Sequence, residues 1–200
     1  MDLAESNALH AYDLDDTLFS HRPRAVKVYV RDHAGKKVAS LATHEFNKHK
    51  LKPGQSYDFS EFRSSKAFGR SARPIKPMIA HLRNMQKRGQ KTEILTARSD
   101  MDDRDEFGRK LAKHGIDISK THVRRSGNIQ GTSTGDRKRK VLSDLIYKHG
   151  YKEVHLYDDD LGNHAHFSKL KDEHPGVKLY SHVVQHNDHT GKTKLTTIRH

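Results

Sequence analysis

The chain is 200 residues long, only 32% hydrophobic, with a mean hydropathy of −0.95 and a formal net charge of +13. That length suits one sizeable domain with a lean core; no window approaches the about 20 apolar residues of a membrane span, and the opening MDLAESNALH lacks the basic-then-apolar pattern of a signal peptide. The absence of cysteine excludes a disulfide framework and thiolate metal sites and suits a cytoplasmic setting, while the pI near 9.8 favours a polyanionic partner, nucleic acid or a phosphorylated substrate, over charge kept for solubility alone.

Residues 9–15, LHAYDLD, read as a short buried strand that breaks at the acidic cluster Asp13, Asp15 and Asp16. Residues 26–41 alternate, with Val26, Val28 and Val30 on one face, then turn at DHAGK and return as a β-hairpin. Residues 47–74 are polar and loop-like, although Tyr57, Phe59, Phe62 and Phe68 must pack somewhere. In residues 75–89, Met78, Ile79, Leu82 and Met85 fall at helical spacing, and Gly89 stops the run. KTEILTARSD is a strand entering a polar turn, residues 101–114 fit a helix, and THVRR is a short strand of poor pattern. Val141, Leu142, Leu145 and Ile146 mark an amphipathic helix over 136–150. EVHLYDDD is then an apolar strand ending in carboxylates. A weak helix over 163–172, the strand VKLYSHVV and a polar tail over 185–200 close the chain; His182, His186, His189 and His200 read as part of a solvated group.

Apart from the hairpin, strands and helices alternate, which predicts an α/β fold: a Rossmann-like, three-layer parallel sheet forming a single domain over residues 1–184, with a small β-hairpin and loop insertion over 18–75. Ligands of such sheets bind beyond the carboxyl ends of the strands. DLDDT, LTARSD and YDDD all fall at strand ends, so the polar clusters converge on one edge.

Carboxylates crowded at the end of a buried strand repel one another unless something positive lies among them. A hard divalent cation such as Mg²⁺, held by Asp13 and Asp158 from two separate strands, satisfies that need. A carboxylate beside such a cation can attack phosphorus. Asp15, two residues on and on the same side of an extended strand, has the spacing for a general acid and base. Thr96 ends another strand with a hydroxyl donor, and Lys138, near the start of a helix, supplies a fixed cation for phosphoryl oxygens.

Together YDLDDT, ILT, the helix-initial Lys138 and YDDD resemble, in order and over most of the chain, the four motifs of the haloacid dehalogenase (HAD) superfamily. The resemblance implies Asp13 as nucleophile, Asp15 as general acid/base, Thr96 as phosphate ligand and Lys138 as stabiliser of a phosphoenzyme. It also implies Mg²⁺ held by Asp13, the Asp15 carbonyl and Asp158, with Asp159 assisting. Lys140 is a rival for Lys138, which is preferred because Val141 and Leu142 follow at +3 and +4. Asp159/Asp160 is a rival for Asp158/Asp159, which is preferred because the apolar run ends at Tyr157. An Asp two residues after the nucleophile is similar to the phosphatase and phosphotransferase branches.

In that family, an insertion between the first and second motifs acts as a cap that selects substrate. Here it carries Arg63, Lys66, Arg70 and Arg73 interleaved with Phe59, Phe62 and Phe68. This is either a groove where phosphates meet cations and bases stack on rings, or a loop pinned by its aromatics with a solvated basic face. Arg98 in LTAR is a further candidate for substrate phosphate, and His44, His164 and His166 could also reach the site. The stretches SEFRSS and DRKRKVLSDLI resemble, more loosely, phage-type HAD proteins related to polynucleotide phosphatase domains. No Walker-type GxxxxGK[ST] accompanies them. The expected function is a Mg²⁺-dependent phosphomonoesterase acting on nucleic-acid ends or nucleotides. The rivals are a small-metabolite or mononucleotide phosphatase, and a non-catalytic nucleic-acid-binding protein on the same scaffold.

Overall fold

A computed structural model describes residues 7–21, 26–46, 48–130 and 133–200. In chain order its elements are β1 Ala8–Tyr12, β2 Phe19–His21, β3 Val28–Arg31, β4 Lys37–Leu41, α1 Thr43–Phe46, β5 Ser56–Asp58, α2 Ser65–Ser71, β6 Ala72–Pro74 and α3 Lys76–Lys87. There follow β7 Lys91–Thr96, α4 Arg104–Lys113, β8 Thr121–Arg125, α5 Thr134–His149, β9 Glu153–Asp158, α6 Leu161–Phe167, α7 Leu170–Glu173, β10 Lys178–His186 and β11 Thr193–Arg199.

Six strands form the main sheet in the order β11-β10-β9-β1-β7-β8. All neighbours run parallel except β11, which pairs antiparallel to β10. From β1 the chain steps outward to β7 and β8, then crosses to β9 and β10 on the other side. The order therefore reverses between β1 and β9, where an open α/β sheet leaves its binding crevice.

The two faces of the sheet are packed differently. On one, Leu9, Ala11, Val154, Leu156 and Leu179 are covered by Leu142, Leu145 and Ile146 of α5, Phe167 of α6 and Leu170 of α7. On the other, Ile94 and Tyr12 meet Met78, Ile79 and Leu82 of α3 and Phe107 and Leu111 of α4. On the same face β1, β9 and β10 carry rows of stacked rings, with His81 of α3 packed against Tyr12 and Tyr157. His10, His155 and Tyr180 follow one another with centroids 4.4 and 4.8 Å apart, and Tyr12, Tyr157 and His182 at 4.4 and 4.3 Å. Burial, followed by the neighbouring imidazoles, lowers His10 to about 3 and His182 to about 4.

Residues 185–200 are not a tail. β10 runs on to His186, turns at Asn187–Gly191 and returns as β11. As the edge strand, β11 is exposed over most of its length, so its polar sequence has no alternation to read. His182 is correspondingly buried rather than solvated. The polar stretch 47–74 also contains β5, a 3-10 turn at Ser60–Arg63, α2 and β6. β2 and β6 pair antiparallel and frame a three-stranded sheet of order β4-β3-β5. Asp102 N donates to Arg63 O and Ser65 N to the Asp102 carboxylate, tying this unit to the loop after β7, at the carboxyl edge of the main sheet.

Candidate active site

Asp13 continues the β1–β9 ladder by one bond, its N–H donating to Tyr157 O at 2.8 Å. That bond brings Asp13 beside Asp158, at the reversal of strand order. Helix α5 is capped by Ser133, whose side chain accepts from Asp136 N, and Lys138 lies in its first two turns. Gly135 is required there: a Cβ would meet the His166 ring at 2.7 Å, so only glycine lets α6 approach α5 this closely. Lys138 reaches the strand ends with Nζ 2.8 Å from Asp13 Oδ1 and 2.7 Å from Asp158 Oδ2. The three residues are 2%, 6% and 0% exposed, so the pairing takes place out of water. Burial pushes Asp13 well above the usual carboxylate range; Lys138 opposes this, while Asp158, Asp159 and Asp15 add to it. Burial alone would lower Lys138, but Asp13 and Asp158 outweigh it and raise its pKa.

Asp158 is heavily engaged. Asn163 Nδ2 donates to both its oxygens at 2.9 and 3.1 Å, Asp160 N donates to Oδ1 at 2.9 Å, and His164 Nε2 lies 2.9 Å from its carbonyl. Asp159 stands on the rim, more open to solvent than its neighbour, with Thr17 Oγ1 donating to it at 3.4 Å. Partial desolvation and the charge of Asp158 still push it up to about 7. One oxygen from each of Asp13, Asp158 and Asp159 fits within 4.8 Å of the others, an arrangement that could hold a metal ion. Asp160 instead caps α6 through Gly162 N at 2.7 Å. Lys140 is half exposed and pairs with Asp136 at 3.1 Å.

Asp15 belongs to a second cluster. Arg98 clamps it through Nε at 2.8 Å and Nη2 at 2.7 Å, and His21 Nε2 lies 2.6 Å from the same carboxylate. Burial would raise Asp15, but the Arg98 guanidinium and the His21 hydrogen bond prevail and hold it well below the usual range. The third side of the guanidinium donates from Nη1 to Phe62 O at 2.7 Å, and the rings of Phe62 and Phe68 lie 5.1 and 5.4 Å from it. Between Asp15 and β2 the chain makes one tight turn, with Leu18 and Phe19 N–H both donating to Leu14 O. Asp16 takes a left-handed φ of 57°, which a short carboxylate side chain tolerates better than most.

Thr96 ends β7, buried, and its Oγ1 accepts from Arg98 N at 3.1 Å. Arg63, Lys66 and Arg70 are exposed on the 3-10 turn and α2; Arg63 Nε reaches Asp100 O at 3.4 Å. Phe68 is fully buried in the main core and unavailable for stacking. Phe59 is 43% exposed and packs edge-on with Phe62. His166 bonds Ser133 Oγ at 3.2 Å, and the His44 side chain lies outside the described set. Sequence reasoning missed His21, Asn163 and the contact of His164 with the Asp158 carbonyl. For Asn163 a signal existed, an amide one helical turn past the DDD run. Compared with protein-family profiles, curated proteins and solved structures, the chain matches none.

Proposed function

We propose that the protein is a Mg²⁺-dependent phosphomonoesterase of the HAD type, acting through a phospho-Asp13 intermediate on nucleic-acid ends or nucleotides. The observation that carries the reading is the buried Lys138 ammonium shared by Asp13 and Asp158, with Asp159 beside them and Asp15 two residues along. One ammonium among three carboxylates leaves the cluster short of positive charge, and burial, followed by the neighbouring carboxylates, raises Asp13 and Asp159. A hard divalent cation suits an all-oxygen set of this kind. Asp158 is already bonded at both oxygens, so Asp13 and Asp159 would carry the direct contacts while Asp158 holds Lys138 in place. Bound there, the cation would neutralise charge on the phosphoryl oxygens.

In this reading, an Asp13 oxygen attacks phosphorus, and the bond to the leaving oxygen breaks as that oxygen takes a proton from Asp15. Asp15 then removes a proton from water, which attacks the phosphoaspartate and releases phosphate with Asp13 restored. Lys138 offsets charge at Asp13 in both halves, and Thr96 donates to a phosphoryl oxygen. Asp15 can hold a proton only once Arg98 loosens its grip; an arriving phosphate, as a competing anion, gives Arg98 another partner. The β3–β5 unit with α2 serves as a cap, joined to Asp15 through the bond from Arg98 to Phe62 O.

The test is phosphate release, with and without Mg²⁺, from 3′- and 5′-phosphorylated oligonucleotides and a panel of mononucleotides, alongside Asp13→Asn. Expected are turnover of oligonucleotide ends and its loss both in the mutant and without metal. Mononucleotide turnover alone would place the protein in nucleotide metabolism. Silence on every substrate with tight, salt-sensitive nucleic-acid binding would overturn the catalytic reading in favour of a binding protein.

A further inference from the structure

Two clefts of the molecule lie away from Asp13. One, of about 750 Å³, lies at the amino ends of β7 and β8, where Lys87 and Arg88 end α3 and Lys120 precedes β8. The other, of about 550 Å³, lies between β8 and α5, with Arg125 and Lys148 in its walls. Arg124 and His149 line both, so the two clefts adjoin in a trough along the β8 edge. Helix α5 walls it over residues 140–149, about 14 Å at 1.5 Å per residue.

The trough is basic at both ends. Its buried carboxylate, Glu93, is taken up by Arg124 through two bonds of 3.0 Å and by His122 at 3.3 Å. Asp144 pairs with Lys148 at 3.5 Å on an exposed surface, a weak contact. At its upper end the trough meets the turn at Ser126–Asn128. Ser126 Oγ donates there to Thr96 O at 3.0 Å and Gly127 N to Arg98 O at 3.3 Å. Its floor therefore ends against the loop that bears Thr96 and Arg98. Tyr147, 86% exposed, lies within one turn of Asp144 and Lys148 on α5, offering a ring where a base could stack.

We propose that this trough is the track for a nucleic-acid strand whose terminus enters the Asp13 site, with its phosphates meeting Lys87, Arg88, Lys120, Arg124 and Arg125 in turn. The inference rests on the reading that the substrate is a nucleic-acid end. A concave, basic channel fits a flexible, repeating anion; a lipid surface, being flat, would reach only its rims.

The test is binding of a fluorescein-labelled, end-phosphorylated single-stranded oligonucleotide in EDTA, so that nothing is turned over. Lys87→Glu/Arg88→Glu/Lys120→Glu alters exposed side chains only. It should weaken binding at least tenfold and flatten the slope of log Kd against log salt by about 2, from about 0.7 per lost contact. Lys171→Glu/Lys178→Glu/Lys194→Glu makes the same charge change near the opposite edge of the sheet and should weaken binding less than threefold. Tyr147→Ala should cost the oligonucleotide about fivefold or more and leave inorganic tripolyphosphate unaffected. Equal losses from the two triple variants would overturn the proposal, because net charge alone would then explain binding. It would also be overturned by loss of phosphatidylglycerol-vesicle binding in the first variant with the oligonucleotide unaffected. Hydrolysis of p-nitrophenyl phosphate with Mg²⁺ is followed separately in the wild type. Its absence with the trough effect intact removes the phosphatase and leaves the track; its presence without the trough effect removes the track and leaves the phosphatase.

Discussion

Asp13 and Asp15 are two residues apart, both set back from solvent, and pushed in opposite directions. Asp13 meets an ammonium shared with a second carboxylate in a set of buried groups and is raised; Asp15 meets a bidentate guanidinium and an imidazole and is lowered. Environment, not residue type, separates the two carboxylates, and in the sense opposite to the proposed roles, so attack by Asp13 needs a cation beside it and proton donation by Asp15 needs Arg98 to release it. The two halves also draw on different parts of the chain. Lys138, Asp158 and Asn163 come from the main sheet and its helices. His21 and Phe62 come from β2 and from the 3-10 turn of the inserted unit. The first half is fixed by the core, and the second depends on where the insertion sits.

Removing Lys138 should have the largest effect. Lys138→Met leaves Asp13 and Asp158 buried without their cation and should cost about 3–5 kcal/mol of stability in urea unfolding. A loss below about 1 kcal/mol would mean that the buried pairing contributes little. Arg98→Gln should cost less, about 2 kcal/mol, because the Asp15 side chain is 25% exposed and His21 remains. That variant should also loosen the inserted unit, read as faster amide exchange over residues 56–63; unchanged exchange would show that the bond to Phe62 O does not hold the two parts together.

Metal tests the charge-poor half directly. Mg²⁺ at a hundred times its Kd should raise unfolding stability by about 2.7 kcal/mol, and Asp159→Asn should abolish most of that gain. In metal-free protein the same residue makes stability depend on pH. Its folded pKa, about 7, lies above the ordinary 3.8, so its contribution is fully present below 3.8 and is lost as pH rises to about 7. The stability difference between wild type and Asp159→Asn should therefore fall across that window and flatten when Mg²⁺ is added. A difference independent of pH would refute the assignment. The smallest effect is expected at Lys140. Lys140→Ala removes a half-exposed ion pair with Asp136 and should change stability by less than about 0.5 kcal/mol, in contrast with its neighbour two residues away.

Much of the first half was legible in the sequence, and little of the second. DLDDT and YDDD follow apolar runs that can only be buried strands, and Lys138 precedes Val141 and Leu142 at helical spacing, so strand ends and helix face point to one place. The clamp on Asp15 joins residues 83 apart, through a three-residue strand and a backbone carbonyl, neither of which leaves a periodic trace. β11 escaped notice because it is exposed nearly throughout, and alternation appears only where one face is covered. The ring rows hid in plain view: His10, Tyr12, His155 and Tyr157 alternate with aliphatics, so both faces of β1 and β9 read as buried.

Those rings give the molecule a built-in light source. The chain has seven tyrosines and no tryptophan, so its intrinsic ultraviolet emission is tyrosine emission throughout. Two of the emitters, Tyr12 and Tyr157, immediately precede Asp13 and Asp158 and lie face to face with centroids 4.4 Å apart. Any event that shifts one strand end against the other, whether ion capture, loss of Lys138 or attachment of phosphate, alters the coupling between these two chromophores. Occupancy of the candidate site can thus be followed in the unlabelled protein.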